Sequence, residues 1–229
     1  MSRVSAGIVV ATLMLGCSSS TNTTTVPSAP SPAASTVRLR GEVWADNWFA
    51  FYLGETKVAE DSVPITVERS FNAETFIFDA TYPLTLNFVI RDYIQDDTGL
   101  EYIGTPNQQM GDGGFIMQIT DVATGRVVAV SDSTMRCVVV HKAPLNPSCE
   151  KAPAPSSACQ THLLPEPPGW KAPGFDASSW PAATIYTAAQ VGAKEGYATI
   201  RWDSAARLVW TSDLKADNTL LCTLRVEAR

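Results

Sequence analysis

From Val37 to Val226 apolar and polar side chains alternate with a period of two, in short runs broken by turn-forming residues. Alternation of this kind sets one face of an extended strand on a core and the other away from it. Leu39, Gly41 and Val43 interleave with Arg38, Arg40 and Glu42. The pattern repeats in Phe49, Phe51 and Leu53, in Phe76 and Phe78, and in Leu84, Leu86, Phe88 and Ile90. Phe115, Met117 and Ile119 continue it, and Leu220, Cys222, Leu224 and Val226 close the series. Val127–Val130 and Val138–Val140 read as buried strands. Turn chemistry separates the runs at Gly54, Asn72, Asp79, Gly99, Gly111–Gly114, Thr124-Gly125, Gly192 and Asp217-Asn218. No window carries a sustained 3.6-residue apolar stripe, and Ala188–Val191 offers a turn or two of helix at most. An all-β sandwich or jelly roll over residues 37–229 is expected. Hydrophobic residues form 45% of the 229, enough for one substantial core.

The first 36 residues follow different rules. Arg3 supplies a positive start and Ala6–Leu15 an uncharged, mostly apolar run, too short for the roughly 20 residues that span a bilayer. Residues 1–16 are read as a signal peptide. The sequence Leu13-Met14-Leu15-Gly16-Cys17 resembles the bacterial lipobox, with Met14 departing from its usual Leu or Val. That resemblance implies lipidation of Cys17 and palmitate-type acylation, enough chains for stable anchoring. No Asp follows Cys17, which by the sorting pattern of such lipoproteins implies the outer membrane or cell surface of a bacterium. Residues 17–36 are read as a tether: Ser18–Thr36 holds 6 Ser, 5 Thr and 3 Pro without a charge, and so has nothing to bury against its ordering entropy.

One segment of the folded part breaks the alternation. Lys142–Gly174 carries 8 of the chain's 15 prolines and is expected to be an insertion without central strands. Cysteines frame it. With Cys17 lipidated, Cys137, Cys149, Cys159 and Cys222 remain, and four cysteines allow three connectivities. Cys137–Cys149 and Cys159–Cys222 are the expected pairs, the first closing the excursion and the second tying its far end to the last strand. A zinc site competes, but the chain has no Cys-x-x-Cys and an exported protein lies outside the reducing cytosol.

Two clusters suggest a family. Trp44-Ala45-Asp46-Asn47-Trp48-Phe49-Ala50-Phe51-Tyr52-Leu53-Gly54 is one, and Gly169-Trp170 through Phe175-Asp176-Ala177-Ser178-Ser179-Trp180-Pro181, followed by Leu208-Val209-Trp210, is the other. Together they resemble the galactose-binding-like jelly roll of glycoside hydrolase accessory modules, over Val37–Arg229. Leu53-Gly54-Glu55 lacks the Asn expected before Gly, and the Pro-rich insertion is a further departure. Phe175, Trp180 and Trp210 are expected to be framework residues, because large rings bury best between layers; Asp176 and Ser179 suit turns.

In that fold ligands meet the loops at one end of the sandwich. The richest loop runs from Arg91 to Gly114 and holds Asp92, Asp96, Asp97, Glu101, Tyr102, Asn107, Gln108, Gln109 and Asp112. Amides offer both donor and acceptor to sugar hydroxyls, and an aromatic ring can stack on a pyranose face. Trp44, Asp46, Trp48, Tyr102, Asn107, Gln108 and Asp112 are therefore the candidate ligand residues. The carboxylates also suit Ca²⁺, a hard cation, although Asp96–Glu101 is no EF-hand loop and no specific metal motif is present. No cofactor is implied.

A formal net charge of −6 gives no basic field for nucleic acid. Gly-x-Ser-x-Gly, the phosphate-binding Gly-rich loop and His-Glu-x-x-His are absent, and neither His141 nor His162 has a local mark of a general base. Paired glycosidase carboxylates leave no such sequence mark. The leading expectation is a lipid-anchored, non-catalytic module for carbohydrate or another surface ligand. The alternatives are a structural or protein-interaction lipoprotein on the same fold, and a hydrolase with an unrecognised site. Labelled palmitate should enter the wild-type chain and not Cys17→Ser, and Cys17→Ser should leave the membrane fraction. No label in the wild type would refute the anchor.

Overall fold

The computed structural model of the chain describes residues 35–65 and 71–228. The residues read as a signal peptide, Cys17 and nearly all of those read as a tether lie outside the described ones. The strands begin at β1 (Thr36–Asp46), one residue before the expected boundary, and continue with β2 (Trp48–Leu53), β3 (Thr56–Glu60), β4 (Ala73–Thr81) and β5 (Leu84–Arg91). A short hairpin follows, β6 (Leu100–Glu101) with β7 (Gln109–Met110). Next come β8 (Gly114–Asp121), β9 (Val127–Val130), β10 (Arg136–Lys142) and β11 (His162–Leu163). Last are β12 (Thr184–Tyr186), β13 (Leu208–Trp210) and β14 (Asp217–Val226). Two one-turn helices, α1 (Pro155–Ala158) and α2 (Ala188–Val191), lie between them.

Apart from the β6–β7 hairpin, these strands form two open antiparallel sheets. The first runs β4-β1-β8-β13-β12, with β9 also paired to β8; the second runs β11-β10-β14-β5-β2-β3. The molecule is thus an all-β sandwich. Every alternating run read from the sequence falls on a strand. On β5, Leu84, Leu86, Phe88 and Ile90 all point into the space between sheets and are at most 1% exposed. Phe51 stacks on Phe88 at 4.9 Å, and Phe88 meets Phe115 of the opposite sheet edge-on at 5.0 Å. These rings bridge the two layers at distances typical of favourable aromatic pairs.

Each outer face is covered in part as well. Leu220 and Leu221 are neighbours on β14, so they point to opposite faces, yet neither is exposed. Leu220 belongs to the central core, while Leu221 packs with Ala50, Val89, Trp170 and Trp180. The cover is the end of the Pro-rich insertion together with the segment that follows it. Asn87 fastens it there, its Nδ2 donating to Lys171 O at 2.9 Å and Gly54 O at 3.0 Å. Phe175 and Trp180 meet at 5.3 Å on the same face, and Asp176 accepts the Ser178 N–H at 2.9 Å in the turn between them. Across the molecule, Trp44, Ile116, Val191 and Leu208 make a third cluster on the outer face of the first sheet, under Tyr197 and Trp202.

The cysteines pair as Cys137–Cys222 and Cys149–Cys159, which corrects the expected connectivity. Cys137 and Cys222 are directly opposed in the β10–β14 ladder, with Cα atoms 4.1 Å apart. Cys149 instead closes a ten-residue hairpin on Cys159 within the insertion. The expected pairs took the insertion to be closed at its base; strand register instead commits Cys137 to Cys222 and leaves Cys149 to Cys159. The two bridges differ in value. In the chain-entropy picture, sequence separations of 85 and 10 residues correspond to about 4.6 and about 2.7 kcal/mol. Non-reducing peptide mapping should recover these two pairs. Replacing Cys137 and Cys222 together by Ala should cost several kcal/mol in a urea melt, more than the same change at Cys149 and Cys159.

Candidate functional site

Buried polar groups collect at the end of the sandwich where β1 turns into β2 and β5 leaves the sheet. Asn47 is the single residue between β1 and β2, and its N–H donates to Arg91 O at 2.9 Å. Its Oδ1 accepts the Tyr93 N–H at 2.6 Å. The Asp92 N–H donates to Asn218 O at 2.9 Å, and Asn218 Nδ2 donates to Ala143 O at 2.7 Å and Ala216 O at 3.0 Å. Side chains here replace a strand ladder that has ended, which is the requirement for buried backbone groups.

The acidic loop folds over this layer. The β6–β7 hairpin sets Glu101 opposite Gln109, and Gln109 Nε2 donates to Glu101 Oε2 at 2.9 Å. Gln108 donates through Nε2 to Glu150 O at 2.6 Å and Ala152 O at 3.0 Å, while Lys151 Nζ donates to Gln108 O at 3.0 Å. Ser156 Oγ donates to Asp96 Oδ2 at 3.1 Å, and His141 Nε2 sits 3.1 Å from Asp97 O. The Cys149–Cys159 hairpin therefore braces the loop from outside. Gly113 passes so close to Trp210 that a Cβ there would lie 2.1 Å from the ring.

Two buried aspartates have opposite fates. Asp217 is 3% exposed and fully served: Lys142 Nζ lies 2.7 Å from Oδ1, and Thr211 Oγ1 donates to Oδ2 at 2.5 Å. Asp92 is 2% exposed, and neither carboxylate oxygen accepts a hydrogen bond. Burial drives its pKa well above the ordinary carboxylate range, and the charges of Asp46, Glu101 and Asp112 push it further up. The Tyr93 N–H pulls the other way but is committed to Asn47. Asp46 and Glu101 are each 1% exposed, and Asp112 is half-buried.

The candidate ligand residues consequently part company. Trp44 is 0% exposed, its indole N–H donates to Phe71 O at 3.0 Å, and Tyr197 packs edge-on against it at 5.6 Å. It is a core residue and cannot stack on a sugar. Trp48 lies on the outer face of the other sheet, half-buried, with the Arg91 guanidinium 5.3 Å above its ring. The two tryptophans therefore sit on opposite sides of the central core and do not share a concavity. Gln108 is a brace, so its amide is not presented to a ligand. Asp46 is buried beside Asp92. Tyr102 is half-buried in a left-handed conformation at φ 51°, its carbonyl accepting from Thr105, and Asn107 is exposed close by in the same turn.

Sequence reasoning missed the Lys142–Asp217 pair and Arg91 over Trp48. The only available signal was Asp217-Asn218, which reads as turn chemistry. No protein-family model matches the chain, and no curated protein or solved structure is similar enough to count as a match. Trp44→Ala should lose about 3–5 kcal/mol of stability in denaturant, the cost of emptying a buried aromatic site. A loss under 1 kcal/mol would contradict its core placement.

Proposed function

We propose that the chain is a lipid-anchored, non-catalytic binding module with a galactose-binding-like jelly roll, presenting its acidic-loop end to carbohydrate at the bacterial cell surface. The observation that carries this reading is the direction of β1. The first described strand starts at Thr36 and runs without interruption to Asp46. Eleven extended residues cover roughly 33 Å at about 3.3 Å each. Asp46, Asp92 and the 93–113 loop thus lie at the end of the sandwich opposite Thr36. Tyr102 and Asn107 on that loop supply a ring and an amide of the kinds that meet sugars, and Trp48 with Arg91 supplies a second aromatic surface nearby in sequence to Asp46. Trp180 and Trp210, buried as framework, and Phe175, half-buried against Trp180, are consistent with the family resemblance.

The protein-interaction alternative draws support from the use of Trp44 and Gln108 as structural residues, which leaves fewer groups for a sugar. A glycan array probed with the full chain separates the two. Carbohydrate binding should appear in the wild type and fall at least about tenfold, the loss of roughly 1.4 kcal/mol, in Tyr102→Ala or Trp48→Ala. Absence of any glycan signal from folded wild-type protein would favour the protein-interaction reading.

A further inference from the structure

Strand register gathers two arginines on the outer face of the second sheet, at the end away from the acidic loop. Arg136 of β10 stands opposite Thr223 of β14, and Arg225, two places further along β14, stands opposite Thr85 of β5. Cys137, Cys222, Leu84 and Leu86 belong to the central core, so their neighbours Arg136, Thr223 and Thr85 point the other way, as does Arg225. Residues on such a diagonal lie about 7–8 Å apart, which lets two long side chains converge on one small group. Arg225 is held in place, its Nε 2.5 Å from Glu227 Oε1 and its Nη1 3.5 Å from Pro173 O. Arg136 is exposed, and among the described residues its guanidinium makes no hydrogen bond or ion pair.

The strap across this face makes a cleft of it. Asn87 Nδ2 fastens the strap at Lys171 O, 2.9 Å away, and the Cys137 N–H donates to Pro181 O at 2.9 Å beyond it. Between those two anchors, Pro173, Phe175 and Asp176 line a space of about 640 Å³ together with Arg136 and Arg225. That volume falls among those of small-molecule sites, about 300–1,000 Å³. Thr85 and Thr223 also line it. The Ser178 N–H and hydroxyl hold the Asp176 carboxyl below its usual range, so it stays an ionised acceptor. The neighbouring cleft of about 680 Å³ shares Thr134, Leu224 and Arg225 with this one, so the trough continues past a single small ligand.

We propose that this cleft binds an acidic saccharide, its carboxylate taken by Arg136 and Arg225 and its ring seated among Thr85, Thr223, Phe175 and Asp176. A guanidinium offers parallel N–H donors that match a planar carboxylate, so Arg136 supplies the charge-assisted contact. Threonine hydroxyls donate and accept, and an ionised carboxylate accepts from sugar hydroxyls, as the Asp176 side chain does from any O–H brought to it. The half-buried Phe175 ring gives the apolar side of a pyranose a surface to lie on. Asp176 also sets the charge of the ligand: a negative group in the same cleft repels a polyanion and tolerates a hydroxyl-rich monoanion. The site lies at the opposite end of β14 from Asp217 and the acidic loop. It is therefore additional to the sugar site proposed above and does not rest on it.

The test uses the full-length protein in detergent and saturation-transfer NMR with sodium glucuronate, with glucose and sodium sulfate run in parallel. Glucuronate should bind saturably, at least about tenfold more tightly than glucose, the margin of one charge-assisted contact. Arg136→Ala, at an exposed position, should keep the wild-type Tm and weaken glucuronate at least about tenfold. Arg136→Lys should restore only part of that loss, because an ammonium lacks the paired donors. Thr223→Val should weaken glucuronate and leave any sulfate binding unchanged. No saturable glucuronate signal, or equal binding of glucuronate and glucose, would overturn the proposal. Full displacement of glucuronate by an equal concentration of sulfate would overturn its saccharide part and leave a plain anion site. Binding unchanged in Arg136→Ala would equally overturn it, by placing the sugar elsewhere. The acidic-loop reading is tested at Tyr102 and Trp48 and so fails separately.

Discussion

The structure depends on burying the inner faces of both sheets and part of each outer face. A strand presents successive side chains to opposite faces, so a two-sheet sandwich ordinarily needs only one apolar face per strand. Here Leu220 and Leu221, and likewise Val43 and Trp44, are adjacent and all buried. The central core between sheets accounts for Leu220 and Val43; the outer layers account for Leu221 and Trp44. Irregular chain provides those layers: Trp170 to Trp180 on one side, and α2 with Tyr197 and Trp202 on the other. The prolines that exclude the first of these segments from a sheet suit it to lie across one, since a strap needs no ladder donors.

The sandwich ends differ. Buried polar groups gather at one of them, while on the outer face of the first sheet Gln118 pairs with Glu42. At the end formed by Asp46, Asn47, Asp92 and Asn218, side-chain amides satisfy backbone groups where the ladders stop. Lys142 and Thr211 hold Asp217 in the same region. Asp92 stands apart, and the loop that covers it is itself held by a disulfide hairpin. The opposite end is different: a cleft of about 680 Å³ there is lined by Val128, Leu224, Val226 and the guanidinium-bearing Arg126 and Arg225.

The strands were legible because periodicity is a local property. Phe49 and Phe51, Leu84 to Ile90 and Leu220 to Val226 each carried enough alternation to identify a strand and its inward face. Trp44 was harder. Its parity on β1 points it away from the central core, and an outward tryptophan reads as a ligand platform until Tyr197 is found on top of it. Gln108 read as a sugar-binding amide for the same reason: its partners, Glu150 O and Ala152 O, lie more than forty positions away. The richness of the 91–114 loop in acids was visible, but which of them converge on Asp92 was not.

The sequence alone therefore determined the class of fold, the span of most strands, the exclusion of the Pro-rich segment from central strands and the availability of four cysteines. Each follows from spacing or composition within a short window. Tertiary structure decided that Cys137 faces Cys222, that Trp44 and Trp48 lie on opposite sides of the core, and that Asp92 is buried among acids. Those outcomes depend on strand register and on which loop covers which face. Both are set by packing between residues distant in the chain, and local periodicity carries no record of it.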